Sequence, residues 1–113
     1  MSFKEKFAET RNNLRTLRKV IPETFGGFVQ MEQAASAEGA LTHKEKEFIA
    51  LGIAVALRCE DCITSHVSAV IRAGGTREEV SEVLGTAIQM SGGPGLMYSA
   101  KAIAAFDEMS ENS

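Results

Sequence analysis

Phe48-Ile49-Ala50-Leu51-Gly52-Ile53-Ala54-Val55-Ala56-Leu57 is an unbroken apolar run, and its reading as strand or helix decides the fold. Periodicity alone fits a buried strand as well as a buried helix. Upstream, Thr42 followed by Glu45 forms a capping box, which opens a helix and carries it through Glu47 into the run. Ala50, Gly52, Ala54 and Ala56 are small residues that suit close helix packing, and no other stretch offers a partner strand. The run is therefore a helix. It is about half the roughly 20 residues needed to cross a bilayer, so it is expected to be a buried core segment.

Working outward, the same signals recur. Phe3, Phe7, Leu14, Leu17 and Val20 recur at helical steps among many charges, which predicts an amphipathic helix from Phe3 to Val20. Pro22 suits the first turn of a second helix, with Phe25, Phe28, Val29 and Met31 on its apolar side. Gly26-Gly27 within it is expected to be a kink or a close helix contact, and Gly39 ends the Ala34–Ala40 stretch. Glu60 and Asp61 fit the positive N-terminal end of a further helix that stops at Gly74-Gly75. Thr76 with Glu79 repeats the capping box and starts a helix through Val80, Val83, Leu84, Ala87 and Ile88. Gly92-Gly93-Pro94-Gly95 is expected to break it before a last helix that ends near Met109, with Ser110-Glu111-Asn112-Ser113 frayed. The expectation is an all-α bundle of about six helices, in one domain covering residues 1–113.

Composition narrows the function classes. A net charge of −3 and a pI near 5.4 argue against a nucleic-acid partner, which calls for a basic stripe. The charged start Met1-Ser2-Phe3-Lys4-Glu5-Lys6 has no apolar leader core, so a cytoplasmic protein with no membrane partner is expected. In a reducing compartment the two cysteines are seldom a structural staple. Gly92-Gly93-Pro94-Gly95 lacks the lysine and the preceding strand of a phosphate-binding loop, and no cofactor is implied.

The chemistry concentrates in Cys59-Glu60-Asp61-Cys62-Ile63-Thr64-Ser65-His66. On a helix the C-x-x-C-x-x-x-H offsets bring both thiols and the imidazole to one face. A helix N-terminus, a nearby imidazole and a second thiol are the physical aids to thiolate formation, and this segment supplies all three. The bland reading is two small buried hydrophobes that happen to lie close in sequence. A metal reading would use Cys59, Cys62 and His66 with Glu47 or His43 as a fourth ligand, but structural zinc usually takes more cysteines than this chain has. A redox dithiol is favoured over both. The helix start favours a thiolate at Cys59, whereas His66 at i+4 favours Cys62. Glu47 reads locally as the last charged residue of an exposed turn, and sequence spacing does not place it beside His66. His43, with no partner in sequence, reads as an exposed first-turn residue. Met90, Met97 and Tyr98 read as core rather than pocket.

Glu47, then Cys59-x-x-Cys62-x-x-x-His66, then Ala73-Gly74-Gly75-Thr76-Arg77-Glu78-Glu79-Val80 and Gly92-Gly93-Pro94 resemble the carboxymuconolactone decarboxylase-like superfamily. Within it, the chain looks like the alkylhydroperoxidase D-like branch that carries C-x-x-C. The resemblance covers about residues 20–109. It implies an all-α AhpD-like bundle, usually assembled as a homo-oligomer, a trimer or a hexamer. It implies reduction of small hydroperoxides through a thiolate, sulfenic acid and disulfide cycle, with a dithiol or thioredoxin-like protein as reductant. Carried over residue by residue, Cys62 attacks, Cys59 resolves, His66 accepts the proton and Glu47 supports His66. The chain departs from the best-known peroxidase members in having Asp61, where they have a histidine directly before the second cysteine. Two alternatives stand beside this reading. One is a lactone decarboxylase related by fold, whose chemistry does not need a dithiol. The other is a non-catalytic redox-sensing module whose disulfide changes its assembly state.

Overall fold

A computed structural model describes residues 1–111. Its elements are α1 (Phe3–Val20), α2 (Pro22–Ser36), α3 (His43–Ala56), α4 (Glu60–Arg72) and α5 (Arg77–Ser110), with no strand among the described residues. The apolar run is helical. Thr42 Oγ1 accepts from the Glu45 amide, and the Glu45 carboxylate accepts from the Thr42 amide, so the expected capping box starts α3. Thr76 and Glu79 do the same for α5.

There are five helices rather than six. Gly92 leaves helical geometry at φ 67°, ψ −144°, but the chain resumes its helix at once and Pro94 sits inside α5. The φ > 0 region is open to glycine without a Cβ clash. Pro94 falls in the first turn after the kink, where its missing amide has no carbonyl to serve. The sequence signal for a break therefore produces a bend with no intervening loop.

The core is the contact zone of α3, α4 and α5. Leu51, Val55, Ile63, Val67, Val70, Val80, Ala102 and Ala105 are all fully buried there. Truncating one of its large members, such as Leu51, to alanine would cost about 2–5 kcal/mol. Helices α1 and α2 behave differently, since neither has a buried residue. Leu14, Leu17, Val20, Phe28 and Met31 on this pair are between 42% and 71% exposed. Helix α1 is anchored by Phe3, which packs against the core, and by polar contacts. The Glu108 carboxylate accepts from the Phe3 and Lys4 amides at 3.1 and 2.8 Å, Lys6 Nζ reaches Glu60 at 2.8 Å, and Thr10 Oγ1 donates to Asp61.

The expected irregularity at Gly26-Gly27 is absent. The helix runs straight through both, and a Cβ at either would meet nothing within 4 Å. Their location on the loosely packed arm leaves nothing for the missing side chains to accommodate. Helix α2 also stops at Ser36, short of Gly39. At the other end the expected fraying does not reach Ser110, which is helical with its Oγ donating to the Phe106 carbonyl, while Asn112 and Ser113 lie outside the described residues. No helix among the described residues is long and apolar enough to cross a membrane.

Candidate functional site

The turn between α3 and α4 delivers the first cysteine. Helix α3 ends in a Schellman arrangement, with the Cys59 amide donating to Ala54 O at 3.2 Å and the Arg58 amide to Val55 O at 3.0 Å. Such an ending needs one residue in the left-handed region, and here it is Arg58 at φ 58°. The corresponding ending of α4 uses Gly74 at φ 86°. Cys59 is consequently the N-cap of α4 rather than a member of it. Its sulfur accepts from the Cys62 amide at 3.2 Å, occupying one of the helix's unpaired N–H groups. Cys59 and Cys62 are joined as a disulfide, with Cα atoms 5.2 Å apart.

The acidic first turn of α4 is engaged with α1 and α5. Glu60 accepts from Lys6 Nζ at 2.8 Å and lies 3.5 Å from Lys101 Nζ. The hydrogen bond from Lys6 holds its carboxyl below the ordinary value, against a smaller opposing effect of burial.

Tertiary packing supplies the decisive contact. Glu47 lies in the second turn of α3, is only 8% exposed, and its Oε1 stands 2.8 Å from His66 Nδ1. An ionised carboxylate only accepts, so Nδ1–H donates, and Nε2 keeps the lone pair of a base. Residues 62 and 66 are one helical turn apart, so the imidazole lies over the turn that carries Cys62. Glu47 and His66 are thus in direct contact, with Cys62 one helical turn from His66, and the bland alternative of an exposed turn for Glu47 does not hold. The α3–α4 packing, which lies beyond any local sequence signal, buries it.

His43 sits in the first turn of α3 as expected, but it is neither fully exposed nor without a partner. It is half-buried, its Nδ1–H donates to Ser36 O at 2.9 Å, and its Nε2 lies 3.8 Å from the second oxygen of Glu47. That second distance is too long for a hydrogen bond and becomes an ion pair when His43 is protonated. The i, i+4 spacing of His43 and Glu47 was the signal available for this contact.

Glu47 and His66 open onto a cavity of about 810 Å³ between α1, α2, α3 and α4, a size suited to a small organic ligand. Met90, Met97 and Tyr98 do not line it. Tyr98 packs on the core, as expected for it, whereas Met90 and Met97 are 77% and 66% exposed. Met90 instead borders a second, apolar cavity of about 400 Å³ between α3 and α5, with Phe48, Ile49, Ile53 and Val83, and Met97 lies on the exposed side of α5. Among the described residues, no group of three or more His, Cys, Asp and Glu side chains is arranged to hold a metal ion.

Residues 22–105 match the model of the carboxymuconolactone decarboxylase family. An uncharacterized protein of Cupriavidus necator is 38% identical over 94% of this chain and 94% of its own length. A protein of the cox locus of Paracoccus denitrificans is 33% identical over 73% of this chain and 74% of its own. Among solved structures, apo-lpg0406, a carboxymuconolactone decarboxylase family protein from Legionella pneumophila, is 43% identical. It superposes with a TM-score of 0.94, over 96% of this chain and 97% of that one. A family protein from Thermotoga maritima, a candidate for a part in an antioxidative response, is 28% identical with a TM-score of 0.84, over 94% of this chain and 91% of that one.

Proposed function

This chain belongs to the carboxymuconolactone decarboxylase family, and from that membership we propose that it is a thiol-dependent hydroperoxide reductase of the alkylhydroperoxidase D-like branch. The observation that carries the reading is the 2.8 Å Glu47–His66 contact, set one helical turn from a cysteine that forms a disulfide with its C-x-x-C partner. A lactone decarboxylase has no need of that pair. The Thermotoga relative's candidate antioxidative role points the same way.

In the reduced protein, His66 Nε2 takes the Cys62 thiol proton, while Glu47 fixes the tautomer and stabilises the imidazolium. The Cys62 thiolate attacks the terminal peroxide oxygen. The O–O bond breaks, the sulfur becomes a sulfenic acid, and the alkoxide leaves as the alcohol with the proton held by His66. Cys59 then attacks the Cys62 sulfur, expelling water and closing the disulfide. The N-cap position favours a Cys59 thiolate, which suits it to this second attack. A dithiol or a thioredoxin-like protein reduces the disulfide by exchange and takes up the oxidising equivalents. The exposed apolar residues on α1 and α2 favour a homo-oligomer, a trimer or a hexamer.

The test is stopped-flow oxidation of the fully reduced protein by cumene hydroperoxide, with free thiols counted before and after, and Cys62→Ser as control. Loss of both thiols at a rate far above that of a free thiol, abolished by the substitution, is the expected result. Failure to react would remove peroxide as the substrate.

A further inference from the structure

We propose that the cavity beside His66 selects hydroperoxides that carry a carboxylate at the far end of an alkyl chain. This inference rests on the peroxidase reading above and specifies its substrate.

The cavity wall holds three cations, Arg11 on α1, Lys46 on α3 and Arg72 at the end of α4. Among the described residues none of the three is in an ion pair, a condition they share with Lys4, Arg15, Arg18, Lys19 and Arg58, whereas Lys6, Lys44, Arg77 and Lys101 have carboxylate partners. Arg72 donates to the Ser68 hydroxyl, Lys46 donates to the Ala37 carbonyl at 2.6 Å, and Arg11 lies over the Phe7 ring. All three contacts orient a cation without a neutralising carboxylate; Arg11 and Arg72 are exposed to solvent and Lys46 is half-buried. The opposing charges on the wall are Glu47, already bonded to His66, and Glu32 on α2. The rest of the wall mixes apolar Phe7, Ala35, Ala50 and Ala69 with polar Ser36, His43 and Ser65. A partly apolar cavity that also presents two guanidinium groups outside any ion pair fits an alkyl carboxylate, which guanidinium binds through paired hydrogen bonds.

Helix α4 also sets a length. Residues 62, 65, 66, 69 and 72 lie along one stripe of the helix. From Cys62 to Arg72 the rise is about 15 Å, the span of an extended chain of roughly ten to twelve carbons. The Arg72 side chain leans back toward the helix N-terminus and shortens this somewhat. Cys62 is not itself part of the cavity wall, whose nearest α4 residues are Ser65 and His66. A hydroperoxide about eight to twelve carbons from the carboxylate would therefore bring its O–O group to the His66 end, one helical turn from Cys62, while its acid end meets Arg72 and Arg11. Glu47 and His66 would handle the proton as before. The reaction is balanced by the protein's own dithiol: the hydroperoxide is reduced to the hydroxy acid and water, and Cys59 and Cys62 are oxidised to the disulfide.

The experiment is single-turnover oxidation of the reduced protein by 13-hydroperoxyoctadecadienoate and by its methyl ester, which differ only in the charge. The acid is expected to react about tenfold faster or more, the effect of one charge-assisted contact, with the ratio falling toward unity in Arg72→Ala and Arg11→Ala and at high salt. Acid and ester reacting within twofold of each other, with cumene hydroperoxide still active, would overturn the selectivity and leave the peroxidase reading intact. If no hydroperoxide reacts, the peroxidase reading fails. The cavity is then tested by calorimetric titration of the oxidised protein with the corresponding hydroxy acid and its ester. Binding of the acid alone, lost in Arg72→Ala, supports the anion-binding cavity, and no difference between the two ligands overturns it.

Discussion

Replacing Glu47 by glutamine tests the proton relay with the smallest change available. The amide keeps the size of the side chain and an oxygen that still accepts from His66 Nδ1–H, so the geometry of the 2.8 Å contact survives and only the charge is removed. A hydrogen bond to a charged acceptor is worth about 1.5–3 kcal/mol net, against about 0.5–1.5 for a neutral pair. Because Glu47 is only 8% exposed, little of that difference is lost to solvent. The transition state that places a proton on His66 should lose about 1–1.5 kcal/mol, a fall of roughly five- to tenfold in the oxidation rate. Glu47→Ala, which also leaves Nδ1–H without its acceptor, should lose more. The assay is the pseudo-first-order rate of thiol loss with cumene hydroperoxide, alongside a thermal melt to show that the fold is intact. A glutamine variant as fast as the parent would refute the argument that Glu47 acts through charge. An alanine variant no slower than the glutamine would refute the argument that it acts through His66.

Other outcomes follow from the same geometry. Arg58→Gly relieves a left-handed residue next to Cys59 at the cost of a more flexible unfolded chain; the net gain should be about 0.5–1 kcal/mol, seen as a rise of a few degrees in Tm. Gly75→Ala should act oppositely, because a Cβ there would overlap the Val70 side chain and come within 3.0 Å of the Phe48 ring; a loss of about 1–3 kcal/mol in urea unfolding is expected. Acid should weaken the attachment of α1. The Lys6 hydrogen bond depresses the Glu60 carboxyl below its ordinary 4.5, so its stabilisation is complete above that value and is lost as pH falls through the depressed one. Melting temperature followed from pH 6 to about pH 3 should drop less steeply in Lys6→Ala, and equal slopes would contradict the assignment.

The sequence by itself determined the helices and the chemistry they carry. Phe3 and Val20 bound α1 where periodicity placed them, and Thr42–Glu45 and Thr76–Glu79 start their helices as capping boxes. These features are legible because they depend on residues three or four apart, whose interactions form within a turn wherever the helix sits. The Cys59-x-x-Cys62 pair and the position of His66 one turn beyond it belong to the same class. Even the Gly92-Gly93-Pro94 signal was a true departure from helix, although whether it yields a loop or a kink depends on how the two halves of α5 pack. What only the tertiary structure decided is which helix faces meet. Glu47 and His66 are 19 residues apart, on different helices, and no pairwise spacing rule reaches across that gap. The burial of Glu47, the turn of His43 toward it and the gathering of Arg11, Lys46 and Arg72 around one cavity all follow from how α1, α2, α3 and α4 are set against one another. That arrangement is fixed by the packing of apolar faces, which a helix's own sequence specifies only as a direction. The partner, and hence the site, is chosen when the chain folds.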